Sequence, residues 1–347
     1  MKSLASLYAL LLLVAATPGH AAVEPDTALL VQLAPSVVKI EAANVDGSVS
    51  IGSGVVIGPG LVATNCHVTN RAGEIMLLRG GARSRAESQY SDVEHDLCLL
   101  SAPALDGRPV PIAPVGAHTG QPVFAIGFAG GLSVRFTSGA VDAVYDFDGD
   151  RIIETSAWFS SGASGGGLFD DQGRLIGIIS FMSRGPQTRH FCLPAAWAAA
   201  AAAKFHGAPI SPLDGQPFWQ QPSERQPYFL RAAALQSAGD WPALAALANE
   251  WSSRESGNAA SWVALATAHA HLNQLRRSIA AYETAVAVDA GYARAWYELG
   301  EAYARNCESQ AVAHVRSILA SLDGRLADEL ARVERTCRFT PDAAPAG

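Results

Sequence analysis

Gly162-Ala163-Ser164-Gly165-Gly166 sets one serine among three glycines. A turn built on glycines exposes the hydroxyl and can aim successive backbone N–H groups at one point. Acyl transfer needs such a pairing of nucleophile and oxyanion donors. It also needs a base to take the hydroxyl proton and a carboxylate to orient that base. A histidine lies in Ala63-Thr64-Asn65-Cys66-His67-Val68, and an aspartate in His95-Asp96-Leu97-Cys98-Leu99-Leu100. The candidate catalytic set is therefore His67, Asp96 and Ser164, in that chain order. A Gly-x-Ser-x-Gly elbow of the α/β-hydrolase kind needs the order serine, acid, histidine and alternating strands and helices. His190 and His206 follow the serine, but the chain around them does not alternate in that way.

Other clusters of polar residues have plainer readings. Asp146-Phe147-Asp148-Gly149-Asp150 looks a little like a calcium loop, but Ala157 stands where the closing glutamate belongs. It lies between two apolar runs, so a hairpin turn at Asp148-Gly149 is expected. His269 and His271, two apart on a helix, do not share a face, and no metal site is expected. Nor is any cofactor. His95 in a strand points away from its neighbour Asp96 and reads as structural or surface.

The elements that carry the candidate residues are short. Ser36–Ile40, Gly54–Ile57, Val62–Thr64, Ile75–Leu78, Leu97–Leu100, Val123–Ile126, Gly139–Val141, Ile152-Ile153, Leu175–Ile179 and Phe191–Leu193 are apolar or β-branched runs broken by Gly, Pro, Asn and Asp. That spacing suggests an all-β barrel or sandwich. A short helix is expected from Val23 to Leu33, and another from Ala195 to Phe205. Beyond a Pro-rich, polar stretch the composition turns to Ala, Leu, Trp and Glu with helical periodicity. Trp296-x-x-Leu299-Gly300-x-x-Tyr303 matches the opening of a tetratricopeptide repeat. One 34-residue period earlier stands Trp262-x-x-Leu265-Ala266-x-x-His269, and Tyr228 opens a weaker copy before that.

The 347-residue chain suggests about two domains on the usual ~150-residue prior. A net charge of −7 with no long Lys/Arg run argues against nucleic acid or an anionic membrane surface as partner. Lys2, the apolar run Leu7–Ala16 and small residues at Gly19-His20-Ala21 have the layout of a secretory signal peptide. No other stretch is long and apolar enough to span a membrane. The mature protein is thus expected to be exported, periplasmic or secreted. The boundaries read as signal peptide 1–21, catalytic domain 24–206, linker 207–226, repeat domain 227–338 and disordered tail 339–347.

Residues 36 to about 200 resemble a trypsin-like, chymotrypsin-fold serine peptidase of the HtrA/Deg type. The similar segments are Gly52-Ser53-Gly54-Val55-Val56-Ile57, the Ala-Thr-Asn-x-His-Val and Asp-Leu-x-Leu-Leu stretches, Ile126-Gly127, Thr137–Val141 and Thr155–Leu168. The resemblance implies a double β-barrel and a serine endopeptidase acting on protein or peptide. His67 is then general base and acid, Asp96 its orienter and Ser164 the nucleophile, with the N–H groups of Gly162 and Ser164 as the oxyanion hole. It implies a substrate pocket walled by Trp158 and by Ser180, Phe181 and Met182. Because Trp158 stands where enzymes selective for basic residues carry a carboxylate, apolar substrate side chains are expected. The sequence departs from the family at Gly167 and Ala163, and repeats stand where a PDZ domain usually follows. The repeats are expected to fold independently and to bind a protein partner, leaving the chemistry to the first domain. The alternative is a catalytically silent protease-fold scaffold acting as an interaction module.

A working triad sets the segments around His67 and Asp96 side by side. Cys66 and Cys98 are then either a disulfide or two small buried thiols. Cys307 and Cys337 form a second candidate pair, leaving Cys192 free.

Overall fold

The computed structural model describes residues 27–183 and 188–337. The expected signal peptide 1–21 and tail 339–347 lie outside the described residues. The entry helix, expected from Val23, is described as α1 (Thr27–Leu33). It leads into β1 (Val37–Asn44), β2 (Val49–Gly58), β3 (Leu61–Asn65), the single-turn helix α2 (Cys66–Thr69), β4 (Ala72–Arg79), β5 (Ala82–Arg85), β6 (Ser88–Asp92) and β7 (Leu97–Ser101). These strands make one antiparallel sheet in the order β5-β4-β1-β2-β3-β7-β6. Val38, Ile40, Val56, Val62, Ile75, Leu77 and Leu100 fill its core. Alternation along each strand puts those side chains on one face.

The second half comprises β8 (Pro122–Gly127), β9 (Arg135–Phe147), β10 (Asp150–Thr155), β11 (Gly167–Phe169), β12 (Leu175–Ser183) and β13 (Arg189–Pro194), followed by α3 (Ala195–Ala203). It closes fully, in the order β10-β13-β12-β11-β8-β9. This is the chymotrypsin-like double-barrel layout, with hydrogen bonds running all the way round the second half alone. At the β9–β10 hairpin Asp148 and Gly149 have φ of 45° and 82°, the left-handed pair that a tight two-residue turn requires.

Seven helices follow: α4 (Tyr228–Ala238), α5 (Trp241–Arg254), α6 (Ala259–His271), α7 (Leu275–Val288), α8 (Ala293–Arg305), α9 (Ser309–Leu322) and α10 (Gly324–Cys337). Each packs on the next. Asp240 and Asn258 cap α5 and α6 with their side-chain oxygens. The Trp262 indole donates to Ser256 O at 3.0 Å, and the Trp296 indole donates to Ala290 O at 2.9 Å. Both bonds span six residues, so the 34-residue sequence period returns as the same local contact.

Two expectations change here. Residues 207–226 join the domains, but they are packed along the barrels instead of hanging as a solvated tether. Ala208 bridges Gln89, Leu213 N–H donates to Asn70 O at 2.7 Å, and Phe218 N–H donates to Glu94 O at 2.8 Å. Phe218 is buried between Phe147 and Phe181. Prolines lower the entropy lost when such a segment is ordered. The helices, likewise, share a core with the closed barrel. Phe229 stacks on Tyr145 at 4.6 Å and lies 5.7 Å from Phe191, and one cluster of buried side chains runs through both. Arg189 reaches Gln236 at 2.8 Å and Thr119 reaches Asp289 at 2.6 Å. The helical array and the closed barrel therefore bury apolar side chains against each other.

Candidate active site

β3 and β7 pair antiparallel, with Thr64 opposite Cys98. The chain leaves β3 into α2, which carries His67, and enters β7 from a turn that carries Asp96. Asp96 adopts φ of 58°, a left-handed conformation that short polar side chains tolerate better than most. That turn brings its carboxylate under His67. One oxygen, Oδ1, accepts the His67 backbone N–H at 2.9 Å, and Oδ2 lies 2.7 Å from Nδ1. A carboxylate facing Nδ1 fixes the proton there and leaves Nε2 free to accept one. The Asn65 amide and the Cys66 N–H donate to the Asp96 backbone carbonyl at 3.1 and 3.2 Å. Cys66 and Cys98 are joined by a disulfide, with Cα atoms 4.9 Å apart.

Asp96 is fully buried and has two further donors on Oδ2. Ser180 Oγ lies at 2.7 Å and the Trp219 indole nitrogen at 3.2 Å. Ser180 was expected as pocket wall and Trp219 was not expected at all.

Ser164 sits between Gly162 (φ 91°) and Gly165 (φ 87°). A Cβ on Gly165 would lie 2.0 Å from Ser53 O, and one on Gly162 2.6 Å from Phe128 O. Both positions thus need glycine for space as well as for φ. Ser53 ties this loop to the first sheet: its Oγ donates to Gly162 O and accepts from Phe128 N–H, both at 2.8 Å. Its N–H donates to Ser164 O at 2.7 Å. Neighbouring N–H groups are all spent: Ala163 on Ser160 O, Gly165 on Ile179 O, Gly166 on Ala163 O. Among the described residues, the N–H groups of Gly162 and Ser164 have no acceptor, which leaves both available to an oxyanion. The Ser164 hydroxyl donates to Ser180 O at 2.9 Å rather than to His67. Ser180 therefore touches both the nucleophile, through its carbonyl, and Asp96, through its hydroxyl.

The expected pocket wall is rearranged. Trp158 is 56% exposed and stands in the lining of the recess beside Ser164, while the other expected wall residues are placed elsewhere. Phe181 stacks between Phe191 at 4.8 Å and Trp219 at 5.1 Å, so it lines an aromatic core instead of an open wall. Met182 is half-buried. The recess beside Ser164 is lined by Gly127, Thr137, Trp158, Phe159, Ala163 and Ile179, with Arg135 also in the lining.

His95 is more engaged than a surface residue. Its ring bridges Asp92 and Asp148, both at 2.8 Å, and so ties the turn before β7 to the β9–β10 hairpin. The Asp92 carboxylate, with help from Asp148, raises its pKa above the ordinary histidine value despite its partial burial. Cys192 is a buried free thiol. Cys307 is also free, which corrects the expected link to Cys337. It occupies a left-handed turn (φ 57°) with its side chain exposed; the side chain of Cys337 lies outside the described residues.

Residues 52–178 match the trypsin-like peptidase domain family. The mouse peroxisomal leader peptide-processing protease is 32% identical over 152 residues, 40% of this chain and 26% of its own length. A protein of Halomonas elongata, named as a probable periplasmic serine endoprotease, DegP-like, is 34% identical over 141 residues, 38% of this chain and 29% of its own. The matched region is a trypsin-like peptidase domain of the HtrA/Deg type. Among solved structures, the active form of a Mycobacterium tuberculosis protease superposes with a TM-score of 0.50 at 25% identity, covering 61% of this chain and 98% of that one. This chain spans between a quarter and a third of the two curated relatives.

Proposed function

We propose that the protein is an exported serine endopeptidase that hydrolyses peptide bonds through His67, Asp96 and Ser164. The observation that carries this reading is the two-point grip of buried Asp96 on His67, by Oδ1 to the backbone and Oδ2 to Nδ1. That grip holds the imidazole with Nε2 free. In the reaction Ser164 Oγ turns from Ser180 O to His67 Nε2, which takes its proton as Oγ attacks the scissile carbonyl. The free N–H groups of Gly162 and Ser164 receive the oxyanion. His67 then gives the proton to the leaving amine, and water releases the acyl group by the same path in reverse. The recess beside Ser164 contains no carboxylate and includes Arg135 in its lining. That supports apolar, not basic, substrate side chains before the cut.

Export rests on the signal-like N-terminus and on a disulfide beside the site, a bond that persists in oxidising compartments. Among the described residues no helix is long and apolar enough to cross a membrane. The helical region is read as tetratricopeptide-type repeats, on the period shared by Trp262 and Trp296, and as the site for a protein partner.

A second reading, the silent scaffold, is favoured by one observation: the Ser164 hydroxyl is bonded to Ser180 O. A fluorophosphonate probe separates the two. An adduct that forms on the mature protein and is lost in Ser164→Ala, together with casein cleavage lost in Ser164→Ala and His67→Ala, supports the peptidase. No adduct on a well-folded protein refutes it.

A further inference from the structure

Trp219 lies outside the region matched to the peptidase family and outside both barrels. Yet its indole N–H points at Asp96 Oδ2, 3.2 Å away and 123 residues earlier in the chain. Its ring stands edge-on to the His67 imidazole, with centroids 5.5 Å apart and planes at 89°. On its other side it stacks on Phe181 at 13°. We propose that Trp219 is a positioning residue for the catalytic pair, so that the segment joining the two domains is part of the peptidase machinery. This rests on the reading of His67, Asp96 and Ser164 given above.

Two actions follow from the geometry. First, the indole is a third donor on the oxygen that faces His67 Nδ1, beside Ser180 Oγ. A buried carboxylate held by several donors keeps one orientation, and the imidazole it faces keeps one with it. Second, the ring packs edge-on against His67 beside the fully buried Asp96 carboxylate. A hydrogen bond to a buried charge is stronger where water cannot compete.

The position of Trp219 is set from both sides. Upstream, Leu213 is held by Asn70 and Phe218 by Glu94 and a buried aromatic nest. Downstream, Gln226 Nε2 donates to Trp219 O at 3.1 Å just before α4 begins, and Phe229 of α4 is stacked on Tyr145. The indole is thus hung between an anchor on the first sheet and an anchor made by the helices. How the helices sit on the barrel bears on how His67 is held.

The test uses the full mature chain with Trp219→Phe and Trp219→Ala. Phenylalanine keeps the stack on Phe181 and the edge contact, and removes the N–H. Trp219→Phe should lower kcat on a small peptide substrate roughly tenfold, the loss of one hydrogen bond to a charged group, with KM changed less than about twofold. Trp219→Ala should lower kcat further, and the melting temperature of Trp219→Phe should stay near wild type, which separates positioning from loss of fold. The proton on His67 Nδ1, read by low-field NMR, gives a measure that needs no turnover: its exchange with water should quicken in both variants. Wild-type kcat, or an unchanged Nδ1 proton, in Trp219→Ala overturns the proposal. Failure of the wild type itself to label at Ser164 overturns the peptidase reading instead, and the NMR comparison still decides the role of Trp219.

Discussion

Replacing Cys66 and Cys98 together by alanine tests how much the disulfide contributes. The two cysteines are 32 residues apart, and both are buried. Closing a loop of that length removes chain entropy from the unfolded state worth about 4 kcal/mol at 25 °C. In a domain of this size each kcal/mol moves the midpoint by about 2–4 °C, so the double variant should melt about 8–15 °C lower. The native geometry should survive. Thr64 faces Cys98 in the β3–β7 register, and Cys66 N–H is bonded to Asp96 O, so the backbone holds the two segments together without the sulfurs. Activity at 25 °C should therefore stay within a few fold. Guanidinium and thermal melts with and without reductant, on wild type and the double variant, make the measurement. Reductant should lower the wild-type midpoint to that of the variant and leave the variant unmoved. A wild-type midpoint indifferent to reductant, with both thiols alkylated in protein never reduced, refutes the reasoning.

Asp142 on β9 is pushed up to about 7 by burial and by Glu154. Its raised folded value means that the folded state keeps a proton the unfolded chain loses above pH ~4. Stability should therefore fall as pH rises from about 4 to 7, and Asp142→Asn should relieve this, by on the order of 2 kcal/mol between pH 5 and 8 in paired melts. A variant with the wild-type pH slope would show that Asp142 ionises freely. Gly165→Ala drives a methyl to 2.0 Å from Ser53 O at φ of 87°; fluorophosphonate labelling should be abolished, and normal labelling would show that the loop relaxes. A chain ending at Phe205 lacks Trp219 and Phe218 and should lose at least tenfold in kcat on a small peptide, whereas full activity would show that the barrels suffice.

The candidate site was legible because its signals are local in type. A serine among glycines, a histidine at the end of one apolar run and an aspartate at the start of another each carry their own signal. The central strands were legible for the same reason: Leu175–Ile179 is apolar on both faces, as in β12, whose first seven residues are buried. β5 and β6 were not, because these strands at the two ends of the sheet bury only Ser84 and Gln89 and read as polar loop. Three-residue β11 is too short for any period to show. What failed altogether was the reach of one part of the chain into another. The partners of Trp219 and Asp148, at Asp96 and His95, are 123 and 53 residues away, and nothing beside either residue marks the contact. A Pro-rich stretch looks like a tether in composition whether or not a buried phenylalanine pins it down.

Helices α4 and α6 turn toward the closed barrel. Phe229 and Gln236 of α4 meet Tyr145 and Arg189, and α6 packs on β9. That face of the array already holds a ligand, and the ligand is its own chain. A tethered occupant of this kind presents itself at an effective concentration in the millimolar range. A free peptide at micromolar levels that sought the same face would compete at a disadvantage of about a thousandfold before any contact was compared. A partner of the kind proposed for the helical region would therefore have to use a surface that the barrel leaves open, or bind tightly enough to lift the barrel away.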